Sequence, residues 1–263
     1  YRRDRELEKY GKSDEYRKKN EIARELITKM YDSGWKSKFW LMDAIFFEKE
    51  NIRLLKNYGA SYISRLKTTW SVNYNHYKWT VPELYESIPK DEFELTFTTN
   101  PKSKEVKLFF LANRDVYLKG IGTHRVVFAK EANELKDGTY IEKKDGKWRA
   151  LVTNRLDLTP KEIVERYMIR WSIETEYRDD NQNLYLHGCM WRNIEGQYCY
   201  IALVFMAYMF LCWANSREDL ARFKENRRTL GEKKEAFEVY CIENLANYLS
   251  SLKEQCKECK IAK

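Results

Sequence analysis

Residues Tyr167-Met-Ile-Arg170-Trp171-Ser-Ile-Glu174-Thr-Glu-Tyr177-Arg178 stand inside a helix that the sequence opens at Thr159-Pro160 and carries to about Gln182. Thr159 suits the N-cap, where its hydroxyl accepts from a free backbone N–H, and Pro160 suits the first helical position, where a missing donor costs nothing. Glu162 falls in the first turn, at the positive end of the helix dipole. Winding from Tyr167 at about 100° per residue puts Arg170, Glu174, Arg178 and Asn181 at roughly 300°, 340°, 20° and 320°. One stripe of about 80° thus carries Tyr, Arg, Glu, Arg and Asn. A solvated face with Glu–Arg pairs one turn apart would show the same pattern.

Upstream, Ile22, Leu26, Ile27, Met30 and Tyr31 recur at helical spacing and predict an amphipathic helix over 17–32, ended by Gly34. A short apolar strand, Phe39-Trp40-Leu41-Met42, then runs into Asp43. A second amphipathic helix spans 46–58, with Gly59 as its stop, and Ser61 to Lys67 alternates as a strand. Helix, strand, acid, helix, strand implies an α/β layer with a parallel sheet. From 68 to 147 the texture changes to a β-rich insertion. Strand-like runs at Glu94–Thr98, Val106–Ala112, Arg125–Ala129 and Thr139–Ile141 are separated by turn signals such as Asp137-Gly138 and Asp145-Gly146. Trp148 to Thr153 returns to a core-like strand. The expected organisation is therefore a core built from 1–67 and 148–214, an insertion at 68–147 and a charged helical tail at 215–263.

Composition bounds the rest. Lys and Arg number 48 against 40 Asp and Glu, a formal net charge of +8. Residues 101–155 alone hold 13 Lys/Arg and 7 Asp/Glu. That concentration points to a polyanion-binding surface, with Lys143, Lys144 and Lys147 as its candidates, or to a lysine-rich solvated face. No basic-then-apolar N-terminal segment reads as a secretory signal, and the 6 cysteines are expected as reduced thiols in a cytosol. Tyr198 to Ala214 is apolar or aromatic throughout, at the lower edge of bilayer-spanning length; a buried core helix is expected there. No glycine-rich phosphate loop is present, so ATP dependence is not implied.

Tyr167, Arg170 and Glu174 stand at the spacing Y-x2-R-x3-E. The run resembles the Y-x2-R-x3-E-x6-K signature (Tyr-Arg-Glu-Lys) of a large group of bacterial and archaeal insertion-sequence transposases of the DDE type. Leu151 to Ile163 looks like the strand and helix start of those enzymes, and Trp40-Leu-Met-Asp43-Ala-Ile-Phe-Phe resembles their strand ending in the second acidic residue. The resemblance covers roughly 18–67 and 148–214. It implies an RNase H-like catalytic core interrupted by a β-rich insertion, acting on transposon ends and target DNA as a homodimer in the cytoplasm, at the nucleoid. It also implies that Asp43 and Glu174 are two of three carboxylates holding two Mg²⁺ ions, with Mn²⁺ able to substitute. Hard divalent cations take oxygen ligands, and two of them activate the attacking oxygen and stabilise the leaving one. By the same resemblance, Tyr167 and Arg170 contact phosphates beside the cut, Arg178 is a weaker candidate for that role, and Trp171 either stacks on a displaced base or packs in the core.

Two departures from the pattern stand out. Asn181 occupies the lysine position and brings no charge. The first aspartate is expected on an upstream strand, yet Asp4 and Asp14 sit in a polar run without strand pattern. The chain is therefore expected to be a C-terminal portion, inactive alone, or the product of a decayed element. Two rival readings follow: a catalytically inactive DNA-binding remnant, or a stand-alone nuclease of the same fold. Cys256-x2-Cys259 lacks a spaced partner pair, although Cys241, His187 or Cys189 could join it around zinc. His76, His124 and His187 show no acid–base pattern, and Trp70 and Trp79 are open to DNA stacking or to packing within the insertion.

Overall fold

A computed structural model describes residues 17–37, 39–100, 104–135, 137–143, 147–214 and 229–261. Asp4, Asp14 and Lys144 lie outside these, as do the side chains of Cys256 and Cys259. The chain divides into two compact units, 1–171 and 172–263.

In the first unit, α1 (Lys19–Asp32) leads to β1 (Phe39–Met42), α2 (Lys49–Asn57) and β2 (Ser61–Arg65). A hairpin of β3 (Ser71–Tyr74) and β4 (Tyr77–Thr80) follows, then the short α3 (Val81–Glu86). The long antiparallel strands β6 (Val106–Leu118) and β7 (Gly122–Glu134) come next, flanked by β5 (Glu94–Thr99) and β8 (Tyr140–Glu142). Strand β9 (Arg149–Thr153) and helix α4 (Pro160–Met168) complete the unit.

The strands form one sheet in the order β1-β2-β9-β7-β6-β3-β4, with β5 on β6 and β8 on β7. Among the described residues only β1 and β2 pair in parallel; β2–β9, β9–β7 and β7–β6 are antiparallel. The expected parallel sheet is thus confined to one strand pair. The physical reason is that β9 returns after the long β6–β7 hairpin and runs opposite to both its neighbours. Strands of the 68–147 segment continue the same sheet as β2 and β9.

Side-chain alternation sorts the core into two layers. Tyr62, Val126, Phe128, Ala150 and Val152 join Ile27, Tyr31, Ile52 and Leu55 of α1 and α2 on one side. Their sequence neighbours Ile63, Val127, Ala129 and Leu151 join Ile163 and Val164 of α4 on the other. Odd and even positions of a strand face opposite ways, so the sheet is covered on both faces. That is why β2, β7 and β9 read as runs of buried residues rather than as an alternation of apolar and polar ones.

The ends of β2 and β9 are pinned by side chains. Thr153 Oγ1 donates to Tyr62 O at 2.6 Å, while Asn154 takes the Tyr62 N–H at 3.1 Å and gives its own amide to Ala60 O at 3.1 Å. Buried nearby, the Tyr62 hydroxyl bonds to His124 Nε2, and His124 Nδ1 lies 2.9 Å from Gly122 O. Gly122 O can only accept, so Nδ1 carries the proton and Nε2 accepts from tyrosine.

The second unit contains α5 from Ser172 on (Trp171–Asn183), α6 (Ile194–Ala214) and α7 (Leu230–Ile261). Helices α6 and α7 meet through Phe210 and Phe237, edge to face at 5.2 Å. Helix α6 is the one described helix long and apolar enough to cross a membrane by length and composition. The expectation of a buried core helix is not met, since only 17% of its apolar window is buried. Sequence apolarity reports the preference of a surface to leave water, not whether a partner covers it.

Candidate functional site

Asp43 follows the last residue of β1 and is exposed. Its Oδ1 accepts the N–H of Ala44 at 2.7 Å and its carbonyl accepts that of Phe46 at 3.0 Å, so a tight turn holds the carboxylate at the strand end. Met42 pairs with Ser64 in parallel register, which brings Arg65, exposed at the end of β2, to the level of Asp43. Arg65 escaped the sequence reading because its alternation places it only on a strand. The parallel pairing that sets it beside Asp43 is a long-range fact.

Tyr167 comes to the same place from α4. Thr159 caps the helix with Pro160 in the first turn, as the sequence implied, and Glu162 reaches back to complete a reciprocal capping box. Ile163 and Val164 anchor the helix on the sheet, and Arg166 lies 5.4 Å from the Phe39 ring centre. Tyr167 is half-buried, and burial pushes its phenol above the usual value. Arg170 and Arg65 pull it back down, while the negative charge of Asp43 adds to the rise. Asp43, Arg65 and Arg170 therefore each act on Tyr167 through their charges. Arg170 also places its guanidinium 5.6 Å from the Tyr167 ring centre.

The single helix expected over 160–182 is broken. At Ile169 and Arg170 the backbone N–H groups bond three residues back, to Arg166 O at 3.2 Å and Tyr167 O at 3.0 Å, so the turn tightens and α5 starts afresh at Trp171. No proline or glycine marks this break, so nothing local could announce it. The stripe drawn through one continuous helix is accordingly divided: Tyr167 lies in the last turn of α4, Arg170 in the turn that follows, and Glu174, Arg178 and Asn181 on α5. Glu174 sits in the first turn of α5 and is exposed, as is Arg178; Asn181 is half-buried. Trp171 is 62% exposed, which removes the core alternative for it.

Other candidates resolve plainly. Lys143 is exposed and pairs with Glu131 at 3.1 Å; Lys147 is exposed. Trp70 is half-buried against Phe47, ring centres 5.0 Å apart, and Trp79 gives its indole N–H to Tyr74 O at 3.2 Å, both packing roles within the fold. His76 and His187 are exposed, and His124 is buried. Asp180 was not singled out from the sequence. It is fully buried on α5, neither carboxylate oxygen has a hydrogen-bond partner among the described residues, and burial with the neighbouring Glu176 and Asp179 raises its pKa.

No trio of His, Cys, Asp or Glu gathers into a metal-holding group among the described residues. Asp43 in the first unit and Glu174 in the second are each carboxylates, the oxygen donors that a hard divalent cation takes.

Fold and site together define a class, a mixed α/β domain with an exposed carboxylate at a strand end and cationic side chains around Tyr167. The family model described as the transposase DDE domain matches residues 5–210, and the chain belongs to that family. Members are DNA-processing enzymes that generally use divalent metals, and DNA is the partner that membership implies. No curated protein matches the chain.

Proposed function

We propose that this protein is an insertion-sequence transposase that cuts DNA at the ends of its element and joins them to a target. In this reading residues 1–67 and 148–214 are the RNase H-like core, and 68–147 is its β-rich insertion. The observation that carries it is that, within one unit, the charges of Arg170, Asp43 and Arg65 all act on Tyr167. A phosphodiester under attack develops negative charge on its oxygens, and preplaced cations and a phenol are suited to hold it. Asp43 and Glu174 are the ligands proposed for Mg²⁺, which supplies Lewis-acid activation of the phosphorus when bound. Tyr167 and Arg170 hold the phosphate beside the cut. Arg178, Asn181 and Trp171 are proposed to contact the DNA from α5, and Lys143, Lys144 and Lys147 from the insertion. Lys143 must exchange Glu131 for a phosphate to do so. The acting form is a homodimer on DNA, in the cytoplasm at the nucleoid.

A second reading, an inactive DNA-binding remnant, is favoured by the lack of any metal-holding group of three His, Cys, Asp or Glu side chains among the described residues. One experiment separates the two. The protein is incubated with Mg²⁺ or Mn²⁺, a duplex carrying the sequences that flank its gene, and a supercoiled target. Nicks at the element boundary and joined products support the transposase. Binding without cleavage supports the remnant, and cutting without joining supports a nuclease.

A further inference from the structure

The first unit carries another cationic surface, on the outer face of α2. Asn51, Ile52 and Leu55 are buried, whereas Lys49, Arg53 and Lys56 are exposed at steps of four and three residues, which places them on one side of the helix. Open depressions follow this face. One of about 550 Å³ is lined by Lys49, Lys78 and Lys119, with Trp70 in its wall. The next shares Lys49 and Trp70 and adds Arg53 and Lys67. A third shares Arg53 and adds Lys56. Arg53 is fixed in this track, its Nε donating to Gly120 O at 3.2 Å. Gly120 stands at φ +88°, and a Cβ there would meet the Arg53 guanidinium at 3.0 Å, so the turn accommodates the arginine by lacking a side chain.

Ion pairing distinguishes this track from the cations of the sheet. Arg114 pairs with Glu92 at 2.7 Å, Arg125 with Asp115 at 2.7 Å, Lys143 with Glu131 at 3.1 Å, and Lys130 with Glu142. Among the described residues none of the six track cations makes an ion pair. The acids lining the track, Glu48 and Glu50, are instead held by Arg24 at 3.5 and 3.0 Å. Like charges one turn apart repel, and a polyanion relieves that repulsion. From Lys49 to Lys56 the helix rises about 10 Å, close to the axial length of about three phosphates on one DNA strand.

We infer that this surface, formed by α2, the β3–β4 hairpin and the β6–β7 turn, docks the phosphodiester backbone of duplex DNA, at a place that includes neither Asp43 nor Tyr167. The choice of DNA over other polyanions rests on the transposase reading. The test is fluorescence anisotropy of a labelled duplex against salt, with the whole chain and the triple variant Lys49→Gln/Arg53→Gln/Lys56→Gln. Loss of three phosphate contacts flattens the slope of log affinity against log salt by about 2.7, so that between about 50 and 200 mM salt the wild type loses about 40-fold more affinity than the variant. The charge-keeping variant Lys49→Arg/Arg53→Lys/Lys56→Arg is expected to retain the wild-type slope. An unchanged slope in the glutamine variant overturns the inference, as does an equal loss in the charge-keeping one. Lysine-dependent binding of inorganic tripolyphosphate with duplex binding intact also overturns it, in favour of a small anion. If the wild type binds duplex and the glutamine variant binds it equally well, only this inference falls. If the wild type binds no DNA, the transposase reading falls with it.

Discussion

Arg170 holds its guanidinium 5.6 Å from the centre of the Tyr167 ring, across the break between α4 and α5. Cation and phenol are thus held together by a feature of the backbone rather than by one helical face. A guanidinium on an aromatic ring is worth about 0.5–1 kcal/mol at an exposed site, but its larger consequence is orientation. Arg170→Lys keeps the charge and loses the planar fork, so it is expected to weaken duplex binding less than Arg170→Ala while lowering cleavage by a similar factor, roughly tenfold or more. Gel shifts and cleavage assays on the same preparations check the split.

Asp43 lies exposed at a strand end, so its replacement is cheap for the fold. Asp43→Asn keeps an oxygen to accept the Ala44 N–H, and its stability is expected to stay within about 0.5 kcal/mol of wild type. Cleavage is expected to fall by at least about 10²-fold, the cost of misplacing a reacting group by about 1 Å. Glu174→Gln is expected to behave alike. Retained duplex binding with lost cutting marks both as ligands of the reaction. A variant that cuts normally removes its residue from the site.

His124 is buried, and burial is the main reason its pKa lies below the ordinary value of 6.5. The folded chain therefore favours the neutral ring, whose Nε2 accepts from Tyr62. Below pH 6.5 the unfolded chain takes up the proton first, so this contribution to stability is complete above that pH and is lost as pH falls through the folded value. Tyr62→Phe leaves Nε2 without its donor and is expected to cost about 1–3 kcal/mol. Urea midpoints measured from pH 8 to pH 5 are expected to decline for wild type and to flatten for His124→Gln.

Asp180 is fully buried on α5, with no hydrogen-bond partner for either oxygen among the described residues. Burial first, then Glu176 and Asp179, raises its pKa, so the folded chain favours the protonated acid. The unfolded chain releases that proton at lower pH, and stability declines as pH rises from the unfolded value through the folded one. Asp180→Asn, which cannot ionise, is expected to raise the melting temperature at pH 7 and to leave it nearly unchanged at pH 4. Equal melting curves at both pH values would show that the carboxylate is solvated.

Much of this protein was written locally. The apolar run of β1 into Asp43, the N-cap at Thr159 with Glu162 in the first turn, and the continuous apolar run Tyr198–Ala214 within α6 follow from side-chain character and backbone dihedrals, which neighbouring residues set among themselves. The β3–β4 hairpin and α3 were equally local but passed unread, although Thr80-Val-Pro-Glu83 is the same capping pattern as Thr159-Pro-Lys-Glu162. The Y-x2-R-x3-E spacing, too, stood in the sequence, and the family match agrees with the transposase to which it pointed. What only the tertiary structure decided are pairings between distant segments. The antiparallel seat of β9 between β2 and β7 depends on strands some ninety positions apart, Ile63 opposite Thr153. Arg65 reaches the level of Asp43 only through a parallel register. The basic face of α2 could be drawn from its sequence, but that Arg24 takes up Glu48 and Glu50 and leaves Lys49, Arg53 and Lys56 without acids depends on how α1 lies against α2. A residue's charge is a property of its sequence, whereas its neutralisation depends on which distant atoms the fold brings within a few ångströms.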